Sequence, residues 1–222
     1  MKTKASSAAE HAFTRRDLIA ALAVVGALVV CVALPFFGRA RSRARAICCN
    51  CNLKQIGLGF RQWAMDHSES YQMGVSTNLG GSMEYLDNGQ TFQHFRAASN
   101  ELNTPFVLVC PEDSREPVRT FDNFFSNSNL SYFVGVVTNT ESPLMFLAGD
   151  RRILGGNKLA NGILELTSEN VIGWEKDLHK SRSYGVLGNI ALADGSVQGF
   201  TDARLREALK YTGETTNRFS MP

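Results

Sequence analysis

Four histidines and one Asp-Gly-Ser sequence are the groups in this chain that suggest catalytic chemistry. The histidines stand at positions 11, 67, 94 and 179, and none has a second ligand or a triad partner at a characteristic spacing. Ser196, in Asp194-Gly195-Ser196, lacks the Gly-x-Ser-x-Gly frame that exposes a nucleophilic serine. His179 follows Asp177 closely, but such a pair is more common as an exposed loop contact than as a base with its orienting acid. Asp150-Arg151-Arg152, after a predicted strand, is likewise interpreted as a surface ion pair and not as a site. We therefore predict no catalytic residues and no enzymatic activity.

Five cysteines, at positions 31, 48, 49, 51 and 110, could bind metal or carry redox chemistry. Cys48 and Cys51 form a Cys-x-x-Cys pair, but no second pair with metal-ligand spacing follows, which argues against zinc. A thioredoxin-like motif should begin a helix after a strand, whereas this pair follows a long apolar run. Cys31 lies inside that run and is best interpreted as a small apolar residue. The cysteines therefore predict no metal site.

The apolar run is the element around which the chain is organised. Residues 18–37 include no charged side chain, and their 20 residues make roughly 30 Å of helix, the thickness of the hydrocarbon core of a bilayer. Arginines at positions 39, 41, 43 and 45 follow it. Beyond them Leu53, Ile56, Phe60 and Trp63 recur at helical spacing. We predict a leader over residues 1–12 and one helix over 13–67, with a membrane span at 18–37 and an amphipathic half at 38–67.

Charge is distributed unevenly between this helix and the rest of the chain. Residues 1–61 carry ten Lys and Arg against two acids, and residues 62–222 carry thirteen against nineteen. Basic residues beside an apolar span usually flank a membrane. The sequence shows no nucleic-acid patch, and aromatic residues are not interleaved with the arginines as a single-strand binder would need, so no nucleic acid is expected as a partner. Both ends of the span are basic, so charge alone does not fix its orientation.

Residues 68–222 are predicted to form a globular α+β head with a small antiparallel sheet. Strands are expected at 106–110, 130–137, 144–147 and 163–167. Asp194-Gly195 is typical of a two-residue type I′ hairpin, which would place Leu192 opposite Val197 and put Ile190, Leu192 and Val197 on one face. A short helix over about 202–210 should close the head.

Three interpretations of the N-terminus compete. The first is an uncleaved single-span anchor. The second is a twin-arginine export signal, because Arg15-Arg16 precedes the apolar run, although a small-x-small cleavage site is poorly developed near residues 32–35. In the third, Phe13-Thr14 with an acid at Asp17 resembles the start of type IV prepilins and pseudopilins. Ala12 stands here where that family has glycine, and Arg15-Arg16 replaces an apolar pair.

Further motifs carry the same resemblance into the head. Residues 49–58, CNCNLKQIGL, are similar to the segment that follows the membrane helix in a bacterial pseudopilin-like family of type II secretion. That family also has a Cys-Pro-x-Asp element, here Cys110-Pro111-Glu112-Asp113, and a histidine before an Asp-Gly pair, here His179 and Asp194-Gly195. Fourteen residues separate His179 from Asp194, more than the usual interval of the family, which indicates an insertion near residues 181–186.

The resemblance implies a pilin-like fold and a role in assembly. A prepilin peptidase would cut between Ala12 and Phe13, Phe13 would be N-methylated, and Asp17 would pair with the terminal amine of an adjacent subunit. The protein would span the bacterial inner membrane once, export its C-terminal head, and contact lipid, other pseudopilins or itself, and the secretion platform. The apolar stripe beyond the span is then expected to pack on a neighbouring helix. The alternative is an exported, membrane-tethered binding module that does not polymerise.

The resemblance also bears on the cysteines and on cofactors. If the head is exported, a disulfide between Cys49 and Cys110 would tether it to the helix. Reduced thiols packed under the head are the alternative, because partner choice cannot be deduced from spacing. Some secreted pseudopilins bind calcium through loop oxygens, and the loop acids Glu112, Asp113, Glu116 and Asp122 could supply them, although their spacing is not that of an EF-hand. No other cofactor is expected.

Overall fold

The computed structural model describes residues 14–136, 140–175 and 188–222, with the side chains at 35, 37 and 39 left aside. The chain divides into two compact units, residues 1–41 and residues 42–222. One long helix, α1 (Arg15–Asp66), contributes residues to both units.

The first unit is the apolar beginning of α1. Arg15–Leu34 is one stretch long and apolar enough to cross a membrane, and none of it is buried within the structure. The helix starts with a reciprocal cap, in which the Asp17 carboxylate accepts hydrogen bonds from the Thr14 main-chain N–H (2.9 Å) and hydroxyl (2.7 Å). Large aliphatic side chains along the stretch are more than half exposed. A surface of this composition requires lipid or other protein to cover it.

The second unit is built on antiparallel sheet. The seven-stranded sheet has the order β4-β5-β9-β1-β2-β7-β8, and β3 pairs with β6 in a separate ladder. The strands are β1 (Tyr132–Gly135), β2 (Phe146–Asp150), β3 (Ile153–Leu154), β4 (Asn157–Lys158), β5 (Ile163–Leu166), β6 (Gly173–Trp174), β7 (Gly188–Leu192), β8 (Val197–Phe200) and β9 (Asn217–Ser220). Three short helices accompany them: α2 (Thr91–Ala97), α3 (Ser99–Leu102) and α4 (Asp202–Ala208). The predicted α+β class with an antiparallel sheet is confirmed.

One face of the sheet packs against the second half of α1. Leu53, Ile56 and Phe60 are fully buried and Trp63 nearly so, in a cluster that also includes Tyr132 of the sheet. The prediction that this stripe packs on a neighbouring helix is therefore wrong. An apolar sheet face of the same chain already covers it, which leaves no surface there for a second molecule.

The other face of the sheet forms a second cluster. The Phe219 ring lies between two others: it is tilted against Phe133, with centroids 4.8 Å apart, and stacked on Phe146, with centroids 6.1 Å apart. Leu205 of α4 is fully buried in the same cluster. Alternation along the strands thus serves two cores, one under α1 and one under α4.

Strand assignments differ from the sequence-based expectation at residues 106–110 and at β3, β4, β6 and β9, which were not predicted. Residues 106–110 are not a strand, because Pro105–Leu108 forms a 3₁₀ helix with proline in its first turn and the Thr104 hydroxyl accepting from the Phe106 N–H. Residues 107–110 of this apolar run are buried, as a strand would be, which is why periodicity alone did not distinguish a strand from a 3₁₀ helix. Strand β9 was not predicted, yet it pairs with both β5 and β1.

The Asp-Gly hairpin forms, but in a different register from the predicted one. Ala191 lies opposite Val197, and the Leu192 carbonyl accepts from Gly195 N–H (2.9 Å) while Leu192 N–H donates to Ser196 (2.8 Å). The loop therefore has three residues and ends in a left-handed glycine, with Gly195 at φ 87°. The shift by one residue moves Val197 to the face of Ala191 and away from Ile190 and Leu192.

Gly195→Ala should lower the free energy of unfolding by about 1 kcal/mol, because a side chain at positive φ brings its Cβ too close to the backbone. Gly199→Ala, in the same hairpin, is the matched control: a Cβ there would meet only Asn189 Oδ1, at an ordinary 3.7 Å. Denaturant titration followed by tryptophan fluorescence measures both variants. Equal losses for the two would show that the hairpin does not need a left-handed residue.

Candidate functional site

The four residues Cys110–Asp113 connect α1 to the sheet. Cys110 forms a disulfide with Cys49 of α1, and both cysteines are buried. The contact is reinforced next to the bridge, where Asn52 Nδ2 donates to the Val109 carbonyl (3.0 Å) and the Tyr132 hydroxyl donates to the Cys49 carbonyl (3.4 Å). The pair of cysteines that the resemblance singles out is thus the covalent link of this region. We refer to Cys110–Asp113 and its partners as the junction.

Two acids of the junction bind arginines on opposite sides. Glu112 pairs with Arg45 of α1 at 2.9 Å. Asp113 accepts two hydrogen bonds from Arg151, each 2.9 Å, and one from Arg152 at 3.1 Å. These two arginines directly follow β2, so the carboxylates tie the junction both to the helix and to the centre of the sheet.

The environment of Asp113 favours its charged form. Its side chain is only 3% exposed, against 23% for Arg151. Burial alone would raise the pKa of Asp113, but the hydrogen bonds and positive charge of Arg151, with bonds from Ser131 and Arg152, hold that pKa well below its usual range. The carboxylate is therefore ionised throughout the physiological range. The interpretation of Asp150-Arg151-Arg152 as a surface ion pair is wrong, because the buried partner of the arginines is Asp113.

The groups of the junction hold α1 to the sheet, and each of them is already engaged by a partner. Its carboxylates are occupied by guanidinium groups, and its sulfurs are oxidised and buried. Among the residues that the structure describes, no three His, Cys, Asp or Glu side chains gather as a metal site. Glu112 and Asp113 bind arginine, and Asp122 accepts from Thr120 and from the Phe124 N–H, so these predicted calcium ligands serve other partners.

The Asp194-Gly195 hairpin is a second point where α1 meets the sheet. The Ala193 carbonyl accepts hydrogen bonds from Arg61 of α1 and from the Tyr71 hydroxyl, both 3.1 Å. Burial raises the pKa of Tyr71 to about 12, so this hydroxyl stays a donor. The Asp194 carboxylate accepts from Ser196 N–H and keeps the turn closed. The motif is thus structural in the part of the chain that is described.

The predicted processing and motif residues are only partly visible. Ala12, Phe13 and His179 lie outside the described residues, so their positions are not assigned. Asp17 is described, and its carboxylate accepts hydrogen bonds from the main-chain N–H and the hydroxyl of Thr14. Cys31, Cys48 and Cys51 are free and exposed.

A cavity of about 410 Å³ lies beside the sheet. Its lining includes the charged side chains Glu141, Glu214 and Arg218, together with Phe146 and Phe219, which are nearly buried. Asn217 also lines it and is nearly buried. The cavity lies within the size range of small-molecule sites, and its residues carry no catalytic arrangement that the sequence predicts.

His94 is a fully buried histidine of α2. Its Nδ1 lies 2.8 Å from the Ser82 hydroxyl, and its main-chain carbonyl accepts from Gln72 Nε2 at 3.3 Å. Burial lowers the pKa of His94 to about 4 from an ordinary 6.5. The folded protein therefore holds this ring neutral, which makes the head sensitive to mild acid.

The free energy of unfolding should fall as the pH is lowered from 6.5 to 4. In this range His94 is protonated in the unfolded chain but stays neutral in the folded protein. The two pKa values differ enough to make this loss about 3 kcal/mol. The denaturant midpoint of the full chain at pH 7 and at pH 4.5 measures it. His94→Gln should remove most of the loss, and His67→Gln, which changes a half-buried ring stacked on Trp63, should retain it. A pH dependence that His94→Gln leaves unchanged would contradict this assignment.

Sequence reasoning missed the arginines of the junction. Arg45 was grouped with residues flanking the membrane, and Arg151 and Arg152 were assigned to the surface. The available signal was a pair of arginines directly after a buried strand. Burying a guanidinium group there costs free energy unless a carboxylate pairs with it, so a buried acid could have been expected nearby. Its partner lies 38 residues away, which no local spacing shows.

Comparison of the chain with protein-family models, with curated proteins and with solved structures gave no match.

Proposed function

We propose that the protein is a membrane-anchored, pseudopilin-like subunit that assembles into a filament of a type II secretion or type IV pilus-like machine. The observation that carries the proposal is the apolar stretch Arg15–Leu34, none of which is buried by its own chain. In a pilus-like subunit, lipid would cover this stretch before assembly, and the helices of neighbouring subunits would cover it in the filament. The pilin-like motifs at Phe13-Thr14, at residues 49–58 and at Cys110–Asp113 support this choice.

The junction suits a subunit that is pulled by its helix. Extraction of the subunit from a bilayer applies a pulling force to the helix, and the head must move with the helix without unfolding. The Cys49–Cys110 disulfide and the Arg45–Glu112 ion pair both attach the junction to α1. Asp113 attaches the junction to the sheet through its ion pairs with Arg151 and Arg152, so a force applied to α1 is transmitted to the sheet. A covalent bond at the helix end of this path resists separation in a way that surface ion pairs do not.

Asp17 has a defined task in this proposal. A carboxylate near the hydrocarbon edge costs a few kcal/mol, about 3, unless it is paired. In the monomer the cap by Thr14 satisfies it in part. Cleavage after Ala12 creates a new amine at Phe13, one residue before Thr14, and the amine of one subunit can pair with Asp17 of the next.

The mature N-terminus tests the proposal most directly. The full chain is expressed in a bacterium with a prepilin peptidase and in the isogenic strain without it, and the N-terminal peptide is identified by mass spectrometry. We expect a chain that starts at Phe13, methylated, only where the peptidase is present. An intact Met1 in both strains, or a start beyond Ala33, would overturn the processing step.

Filament incorporation supplies the second measurement. Asp17→Asn should remove the chain from sheared filament fractions while leaving it in membranes, because the charge that pairs with the next subunit is lost. Arg16→Gln is the matched control beside it and should still incorporate. Equal incorporation of wild type and Asp17→Asn would argue against an assembly role for this carboxylate.

The cavity favours a second function, a membrane-tethered binding module. Its volume of about 410 Å³ falls in the size range of small-molecule sites, and its lining includes the charged side chains Glu141, Glu214 and Arg218. This function predicts the same membrane anchor but no filament fraction in any strain. A protein that stays in membranes with an unprocessed N-terminus would support it over the pseudopilin role.

A further inference from the structure

The cavity beside the sheet lies where three neighbouring strands begin or end. Strand β1 is antiparallel to both β2 and β9, so β2 and β9 begin at the end of the sheet where β1 stops. Val136, Phe146 and Asn217 stand at or next to these strand ends, and all three line the cavity. Its volume of about 410 Å³ is therefore bounded by the sheet itself and not by loops alone.

Two loops bring carboxylates to the cavity. Glu141 stands in the loop before β2 and Glu214 in the loop before β9, and both residues line the cavity. A Cβ built on Gly213 would lie 4.0 Å from the Ser142 hydroxyl, so the two loops face each other closely. The Glu214 main-chain N–H donates to the hydroxyl of the buried Thr212 (3.4 Å), which holds the second loop in place.

The charge that the cavity presents is negative. Its basic side chain, Arg218, is already engaged by acids, with Nη2 2.9 Å from Asp87 and Nε 3.6 Å from Glu165. Glu214 is exposed and forms no ion pair within the part of the chain that the structure describes. A carboxylate beside a cavity without a paired cation favours a positively charged ligand.

Asn217 gives a second, independent indication of a ligand. The residue is only 4% exposed, and its amide Nδ2 is buried without a hydrogen-bond partner among the described residues. A buried amide N–H without an acceptor costs free energy. A metal ion cannot satisfy this donor because it offers no acceptor, whereas a carbonyl or hydroxyl oxygen of an organic ligand can.

We propose that the cavity binds a small primary amine that also carries a hydroxyl or carbonyl oxygen, as amino sugars do. Its ammonium group pairs with Glu214, and Glu141 adds negative charge to the same cavity. Its oxygen accepts a hydrogen bond from the Asn217 amide. The inference rests on the second proposed function, a membrane-tethered binding module, and names the ligand class of that module.

Three probes of similar size separate the two interactions. Glucosamine carries both an ammonium group and hydroxyls, glucose has a hydroxyl in place of the ammonium group, and cyclohexylamine keeps the ammonium group on a ring without oxygens. Ligand-detected NMR measures their binding to the full chain in detergent micelles, with protein-free micelles as the blank. Glucosamine should bind about tenfold more tightly than glucose or cyclohexylamine, because each of these lacks one of the two interactions.

Two variants assign the interactions to their residues. Glu214→Gln should remove the preference for glucosamine over glucose, and Asn217→Ala should remove the preference over cyclohexylamine. Glu116→Gln neutralises an exposed acid outside the cavity and is the matched control, which should retain both preferences. Because Glu214 is exposed, its variant keeps the test decisive even where Asn217→Ala fails to fold.

Equal binding of the three probes would overturn the inference, and so would a preference for glucosamine that Glu214→Gln leaves unchanged. A titration with calcium chloride covers the competing chemistry of a hard cation. Ca²⁺ binding that Glu214→Gln abolishes, in a cavity that takes up no glucosamine, would assign the carboxylates to a metal and reject the amine.

The test separates this inference from the proposed function. Probe binding is measured on the purified chain, whereas the mature N-terminus and the filament fraction are measured in cells. A chain that stays in membranes unprocessed and does not bind glucosamine would reject this ligand class and leave the tethered module standing. A chain that enters filaments and binds glucosamine with the expected preferences would keep the cavity site and reject the module.

Discussion

Cys49→Ala/Cys110→Ala is expected to lower the free energy of unfolding of the head by about 4 kcal/mol. The bridge joins residues 61 positions apart, so its loss frees a long loop in the unfolded chain and raises the entropy of that state. The two cysteines are replaced together because a single remaining thiol could pair with Cys48 or Cys51. The removed sulfurs are small and lie at the edge of the α1 core, and their packing loss adds to the entropic effect.

Denaturant unfolding of the full chain in detergent micelles measures this loss. The chain has two tryptophans, Trp63 and Trp174, and both are buried in the head, so their fluorescence reports the unfolding of its two cores. Cys48→Ala/Cys51→Ala is the matched control, because it removes two exposed thiols from the same turns of α1. A loss under about 1 kcal/mol in the test variant would mean that the junction does not hold the helix through its disulfide.

Local patterns in the sequence predicted the parts of the fold that local chemistry determines. An uncharged run of twenty residues predicts a helix of bilayer length whatever surrounds it. Alternating apolar residues between turn signals predicted strands close to β1, β2 and β5, and Asp194-Gly195 marked a hairpin. In each case the residues that decide the structure are neighbours in the chain.

Features that depend on distant residues were not predictable in the same way. The stripe of Leu53 and Ile56 shows that one helix face is buried, but periodicity cannot say whether the same chain or another molecule covers it. The register of the hairpin depends on whether Ala193 belongs to the loop. The Ala193 N–H donates to the Met145 carbonyl, a residue far away in the sequence, and no local pattern shows this contact. The arginines at 151 and 152 had no visible partner until the fold brought Asp113 to them.

Asp113→Ala should lower the free energy of unfolding by about 4 kcal/mol, because it leaves the partly buried Arg151 guanidinium without a carboxylate and Arg152 with only the half-exposed Glu175, 3.5 Å away. Arg151 and Arg152 are 23% and 17% exposed at their side chains, so water replaces little of what they lose. Glu112→Ala is the matched control at the adjacent residue. Its partner Arg45 is 47% exposed and can be rehydrated, so that loss should stay within about 1 kcal/mol.

The dependence of this effect on pH identifies its cause. Because the folded pKa of Asp113 is depressed, its stabilisation is fully present above the unfolded pKa of about 4 and is lost as pH falls toward the folded value. The gap between wild type and Asp113→Asn should therefore be constant from pH 7 to pH 5 and shrink below pH 4. The His94 effect falls in the window above pH 4, so the two titrations are separable in one series of unfolding curves. A gap that stays constant down to pH 2 would show that Asp113 acts through shape and hydrogen bonding, and that its charge does not hold Arg151 and Arg152, which follow β2, to the junction.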